Sequence, residues 1–130
     1  MAVSFSVNHD LRYFFTKWCG NLTDVELLEG YKSFFESESW QPGLNEFVDM
    51  SEAISSEISS DAIRELALYC EELYKSHDIN AIKTAVYAPN DLSYGIARMY
   101  TGWSGDSPES IRTFRDYEEA REWLEFEEVE

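Results

Sequence analysis

Two adjacent hydroxyls, Ser59 and Ser60, stand just ahead of an apolar stripe with helical spacing: Ile63, Leu66, Ala67, Cys70, Leu73 and Tyr74. A serine oxygen at a helix start accepts from the free amides of the first turn. The same amides, with the positive end of the helix dipole, also hold a phosphate. The chemistry on offer is therefore helix capping or phosphorylation coupled to a partner. Glu57 and Asp61 flank the pair and would crowd an added charge of about −2. Upstream, Leu44 to Met50 reads as a buried strand and residues 51 to 60 as a serine-rich loop. The serines thus close a strand–loop–helix unit, the place where open α/β sheets carry ligands.

The other reactive residue types do not assemble into a set. His9 falls in a turn and His77 at a helix end, and both read as surface residues. Cys19 and Cys70 are the only cysteines, and neither belongs to a Cys-x-x-Cys or Cys/His pattern, which argues against zinc. No metal or organic cofactor is expected. There is no nucleophile elbow and no glycine-rich phosphate loop. Carboxylates are numerous, but they fall at helix caps and on polar helix faces, and no catalytic pair stands out. The expectation is a protein that is not an enzyme, a hydrolase-type activity on carboxylates being the weakest alternative. Among the aromatics, Tyr13, Phe15, Tyr94, Tyr100 and Trp103 cannot all be assigned to a core by spacing. Tyr94, Tyr100 and Trp103 outline either an apolar ligand pocket or an interface. Trp103, beside Gly102 and Gly105, suits an interface anchor or a lid.

The chain of 130 residues has 26 acidic and 10 basic side chains, a net charge of −16. This excess argues against nucleic acid and anionic membranes, which need Lys and Arg to neutralise phosphate. It favours solubility and basic partners. At 44% hydrophobic content the chain can bury the core of one domain. No signal peptide and no apolar run of about 18 residues are seen, so no membrane span is expected. The expected location is the cytoplasm, with both thiols free.

The elements that must position these residues are marked by periodicity. Val3, Phe5 and Val7 alternate with Ser4 and Ser6, the pattern of a strand with one buried face. Asn8-His9-Asp10 is a turn. Leu11 to Trp18 is a second strand, with Phe14, Thr16 and Trp18 on one face and Tyr13, Phe15 and Lys17 on the other. So short a connection makes an antiparallel hairpin. Thr23-Asp24-Val25-Glu26 is a capping box, with Leu22 and Leu27 as its hydrophobic staple. It opens a helix whose apolar stripe is Leu27, Leu28, Tyr31, Phe34 and Phe35. After the 44–50 strand and the second helix, Ile79 to Ala88 is apolar on both faces, as a central parallel strand is. A third helix follows Pro89-Asn90-Asp91 and buries Leu92, Ile96, Met99, Tyr100 and Trp103. Residues 102 to 110 form a loop and Ile111 to Arg115 a last strand. Asp116 and Glu119 form a second capping box, and Ala120, Trp123 and Leu124 are the inward face of the last helix. The acidic C-terminus is expected to fray from about residue 126. The order β-β-α-β-α-β-α-β-α describes a single α/β domain over residues 1–130, with a mixed, mostly parallel sheet of about five strands and four helices.

That order, at this length, resembles the STAS domains, the SpoIIAA-like group. The ending Phe114-Arg115-Asp116-Tyr117-Glu118-Glu119-Ala120-Arg121-Glu122-Trp123-Leu124 is similar to the close of the uncharacterised SpoIIAA-like branch, and Gly20-Asn21-Leu22-Thr23 to the step that opens its first helix. In anti-sigma-factor antagonists of the STAS family an Asp-Ser-Ser-Gly motif follows the third strand, and a partner kinase phosphorylates a serine in it. The matching stretch here is Ile58-Ser59-Ser60-Asp61-Ala62-Ile63. Ser60, and second to it Ser59, falls where that serine would be, while the motif's Asp is replaced by Ser59, its second Ser by Asp61 and its Gly by Ala62. The resemblance implies a protein-interaction or regulatory domain with a protein partner or a second copy. The same branch is similar in fold to lipid-carrying CRAL-TRIO domains, which implies the alternative of a carrier or sensor of a small apolar ligand.

Overall fold

A computed structural model describes residues 2–54 and 57–126. The chain forms β1 (Val3–Asn8), β2 (Tyr13–Gly20), α1 (Asp24–Glu36), β3 (Asn45–Ala53), α2 (Ser60–Ser76), β4 (Ile82–Tyr87), α3 (Asp91–Trp103), β5 (Glu109–Phe114) and α4 (Tyr117–Phe126). The five strands lie in one sheet in chain order. β1 and β2 pair antiparallel, and β2 to β5 run parallel. Every parallel step moves one place in the same direction. Right-handed crossovers then put α1, α2 and α3 on one face and leave the other face to α4.

Two cores follow from this arrangement. The large one packs Phe14, Trp18, Val48, Met50 and Val86 of the sheet against Leu27, Tyr31, Phe35, Leu66, Tyr74 and Ile96 of the three helices. The small one packs Phe47, Ala85 and Phe114 against Ala120 and Leu124 of α4. The period-two alternation of the strands sorts side chains between them: Phe47 goes to α4, while Val48 goes to the larger core. Around Phe35 the large core is mostly aromatic, with Phe14, Tyr31, Phe34, Trp40, Tyr69 and Tyr74 in ring contact.

The local signals operate as their chemistry requires. Thr23 Oγ1 accepts from the Glu26 amide and a Glu26 carboxylate oxygen accepts from the Thr23 amide, closing the capping box. Gly30 sits where α1 meets β1. A Cβ there would overlap a methyl of Val3, so only glycine allows this approach.

Several boundaries differ from the sequence reading. β2 starts at Tyr13 because Arg12 takes a left-handed φ of 59° to close the hairpin. β3 runs on to Ala53 instead of stopping at Met50. Past a register shift between Lys17 and Cys19, the end of β2 pairs with Glu52 and Ala53, so Ser51 and Glu52 are strand despite their polarity. β4 begins at Ile82 and β5 at Glu109. α3 continues to Trp103, and its two outermost apolar residues, Leu92 and Trp103, are exposed and not buried. The expected fraying of the acidic end concerns residues 127–130, which lie outside the described residues.

Candidate functional site

The sheet brings four polar side chains under α1–α3: Thr16 of β2, Glu46 of β3, Thr84 of β4 and Glu109 of β5. All are buried, with Glu46 only 4% exposed and Glu109 8%. The Thr16 hydroxyl donates to Glu46 Oε2 over 2.8 Å, and the Tyr31 hydroxyl to the same oxygen over 2.9 Å. Trp18 Nε1 donates in turn to the Tyr31 hydroxyl. Glu109 accepts from Thr84 at 2.5 Å and from Tyr100 at 3.0 Å. Burial pushes Glu46 up to about 8, the charge of Glu109 adds to it, and the two donated hydrogen bonds oppose it. Glu109 is also raised by burial, against its bonds from Thr84 and Tyr100. At neutral pH Glu46 therefore keeps its proton.

A cavity of about 30 Å³ lies beside this row, lined by Trp18, Tyr31, Glu46, Thr84 and Tyr100 among others. It has room for water. The phenol of Tyr74, fully buried nearby, has no hydrogen-bond partner among the described residues. Cys70 is buried as well, and burial raises its thiol, the opposite of what a nucleophile needs. Among the described residues no group of His, Cys, Asp and Glu could hold a metal ion. The row is a buried, hydrogen-bonded interior.

Sequence reasoning missed it by assigning every carboxylate to caps and surfaces. The signal was present: Glu46 shares the phase of Val48 and Met50 in a strand read as buried. That phase places it inward.

A second feature lies at the sheet's edge. Among the described residues β1 pairs only with β2, and its far side carries no strand. The Cys19 amide donates to the Ala2 carbonyl. Antiparallel pairs alternate between bonded and non-bonded, so Ser4 and Ser6 also bond to β2. Val3, Phe5 and Val7 turn their amides and carbonyls outward.

Along this edge runs a groove of about 730 Å³ between β1 and α1, lined by Val3, Phe5, Glu26, Glu29, Gly30 and Phe34 among others. It continues into one of about 490 Å³, where Phe5 and Phe34 meet Val7, His9 and Glu38. The stacked rings of Phe5 and Phe34, 4.5 Å between centroids, form the shared floor. Among the described residues, the lining of both parts holds three carboxylates and no lysine or arginine.

No family model matches the chain, and no curated protein does. Among solved structures, it is similar to an uncharacterised protein of the DUF3478 family from Shewanella loihica PV-4, which has a SpoIIAA-like fold. The two share 20% identity over 95% of this chain and 92% of the other, with a TM-score of 0.59. The chain has a SpoIIAA-like fold. At that identity the likeness speaks for the backbone alone, and the site has to be read from this chain's own residues.

In this SpoIIAA-like fold the serine pair stands at the start of α2, both residues exposed. Ser59 is the cap: its oxygen accepts from the Ala62 amide. Its own hydroxyl and amide donate to the two carboxylate oxygens of Asp24, at 2.7 and 2.8 Å. Asp24 thus occupies ground an added phosphate on Ser59 would need. Ser60 is the first helical residue, and the cap and its Asp24 bonds belong to Ser59 instead.

The aromatic trio is spread along α3. Tyr100 reaches the interior cavity and Glu109. Tyr94 lies under the guanidinium of Arg115, 4.4 Å from its ring centre, and near that of Arg98. Trp103 is 45% exposed beneath Arg64. Tyr100 alone of the three lines the cavity.

Proposed function

We propose that the chain is a protein-interaction module without enzymatic activity, and that it docks an extended segment of a partner along β1. One observation carries this: an open strand edge with outward amides and carbonyls beside a groove floored by Phe5 and Phe34. Adding a strand to such an edge satisfies the backbone, while the groove takes alternate side chains. Proteins guard exposed edges with lysine, proline or bulges. β1, with the sequence Val-Ser-Phe-Ser-Val-Asn, has none of these, whereas β5, the other edge, carries Arg112.

A second copy of the chain is the weaker occupant, since each copy brings a net charge of −16. No helix among the described residues is long and apolar enough to cross a membrane. Two free cysteines suit the cytoplasm, where we place the protein. Ser60 is the residue we assign to regulation by phosphorylation, with Ser59 second because its hydroxyl is already bonded to Asp24.

The test is a titration followed by amide NMR, using a capped peptide of alternating serine and valine as long as β1. Shifts should concentrate on residues 3–7 and the facing side of α1. Val7→Pro removes an outward amide and no ladder bond, and should abolish them. Shifts confined to another surface would refute the reading.

The carrier reading draws on one observation, that Tyr100 lines the interior cavity. At about 30 Å³ that space suits water better than an acyl chain. Native mass spectrometry of the purified protein would show a bound apolar molecule if the reading is right, and a clean mass from several hosts would count against it.

A further inference from the structure

We infer that the segment docked along β1 is basic, with Lys or Arg among the side chains that it turns toward α1; this rests on the strand-addition reading above. Three carboxylates border the groove. Glu29 is exposed on α1, one residue before Gly30, where the helix touches β1. Glu26 lies one turn earlier, its side chain also closing the cap of Thr23. Glu38 stands past the end of α1, beside Phe34 and Val7. Neither the lysine of β2 nor that of α1 lines the groove, and each is engaged elsewhere. Lys17 pairs with Glu52, and Lys32 pairs with Glu65 and lies over Tyr69.

The floor and the border ask for different things. Val3, Phe5, Val7 and Phe34 accept apolar side chains on one face of an incoming strand. The carboxylates, spaced along α1 and the turn after it, attract cations on that same face, since alternate positions of a strand point away from α1. An acidic or neutral strand gains the same backbone bonds but meets repulsion or no attraction. Charge complementarity of this kind sets partner choice and the speed of encounter more than raw affinity. It weakens as salt screens the exposed carboxylates.

The experiment uses the whole protein and four capped peptides as long as β1: alternating lysine–valine, serine–valine and glutamate–valine, and the lysine–valine peptide N-methylated at alternate amides. Binding is read by fluorescence anisotropy. The lysine–valine peptide should bind roughly tenfold more tightly than serine–valine at low salt, the advantage shrinking several-fold in about 0.5 M salt. Glutamate–valine should bind least. The double variant Glu29→Gln/Glu38→Gln should lose most of the preference for lysine over serine–valine, with a melting temperature no lower than that of the wild type showing that it folds. Equal binding of lysine– and serine–valine peptides would overturn the basic-partner inference and leave strand addition standing. Undiminished binding of the N-methylated peptide would overturn both. A dimer by sedimentation that dissociates on Val7→Pro would also overturn it, by assigning the edge to a second copy.

Discussion

Glu46 contributes its stability only as a neutral acid. Its folded pKa, pushed up to about 8 by burial and by Glu109, lies above the ordinary carboxylate value of 4.5. The folded state therefore binds the proton more tightly than the unfolded chain. Stability is complete below the unfolded pKa, declines as pH rises, and the contribution is lost once pH passes about 8. Each pH unit between the two values corresponds to about 1.4 kcal/mol, so the loss is on the order of a few kcal/mol. Glu46→Gln keeps the shape and an acceptor for Thr16 and Tyr31 but cannot ionise. Urea unfolding at about pH 5.5 and pH 9 should show the wild type markedly weaker at the higher pH and the variant much less so. Equal pH dependence in the two proteins would mean that Glu46 is ionised in the fold. The same residue shows what escaped the sequence reading. Carboxylates are sorted to the surface by default, because burial costs them solvation. Here two hydroxyls, on Thr16 and Tyr31, come from other elements to offset that cost, and the Trp18 indole holds the second in place. They lie 30 and 15 positions away in sequence, which spacing cannot show.

Elements were legible wherever the signal is local. The Thr23 box, the alternation in β1 and the stripe of α2 each depend on neighbours a turn or a residue apart, and each appears in the structure. Thr23→Ala should cost about 1 kcal/mol of stability, read by chemical denaturation. The ends of strands were less legible, since Ser51 and Glu52 become strand only through pairing with β2. The packing of one element on another was not legible at all. Gly30 looks like a weak point in a helix, where Gly→Ala gains about 1 kcal/mol by propensity. In place it is the site of closest approach to Val3. Gly30→Ala should therefore destabilise, by roughly 1–3 kcal/mol, because the overlap with a core valine of an edge strand exceeds the propensity gain. Hydrogen exchange should locate the loosening in β1. A variant as stable as the wild type would mean that β1 shifts freely and the groove has no fixed width.

At the scale of the molecule, element order was readable and predicted the fold class, because alternating strands and helices leave few topologies once crossovers are right-handed. The edge groove was not, since residues 2–7 and 26–41 meet only in the folded chain. The charge was plain from the start, and its consequence is global. With 26 acidic against 10 basic side chains, the surface repels itself. Among the ion pairs of the described residues, Lys17–Glu52, Lys32–Glu65, Arg115–Asp91 and Arg121–Glu118 are exposed or half-exposed, and such pairs contribute little; Lys75–Glu71 and Arg121–Glu125 each have one carboxylate that is largely covered. Salt screens both effects over about 10 Å at 0.1 M, so the balance decides the sign. Self-repulsion involves many more charges than the pairs do, and relieving it should favour the compact state. The melting temperature should rise by several degrees as sodium chloride goes from about 10 mM to 500 mM, and the rise should flatten once the Debye length is near 4 Å. A falling melting temperature would show that the few attractive pairs outweigh the general repulsion.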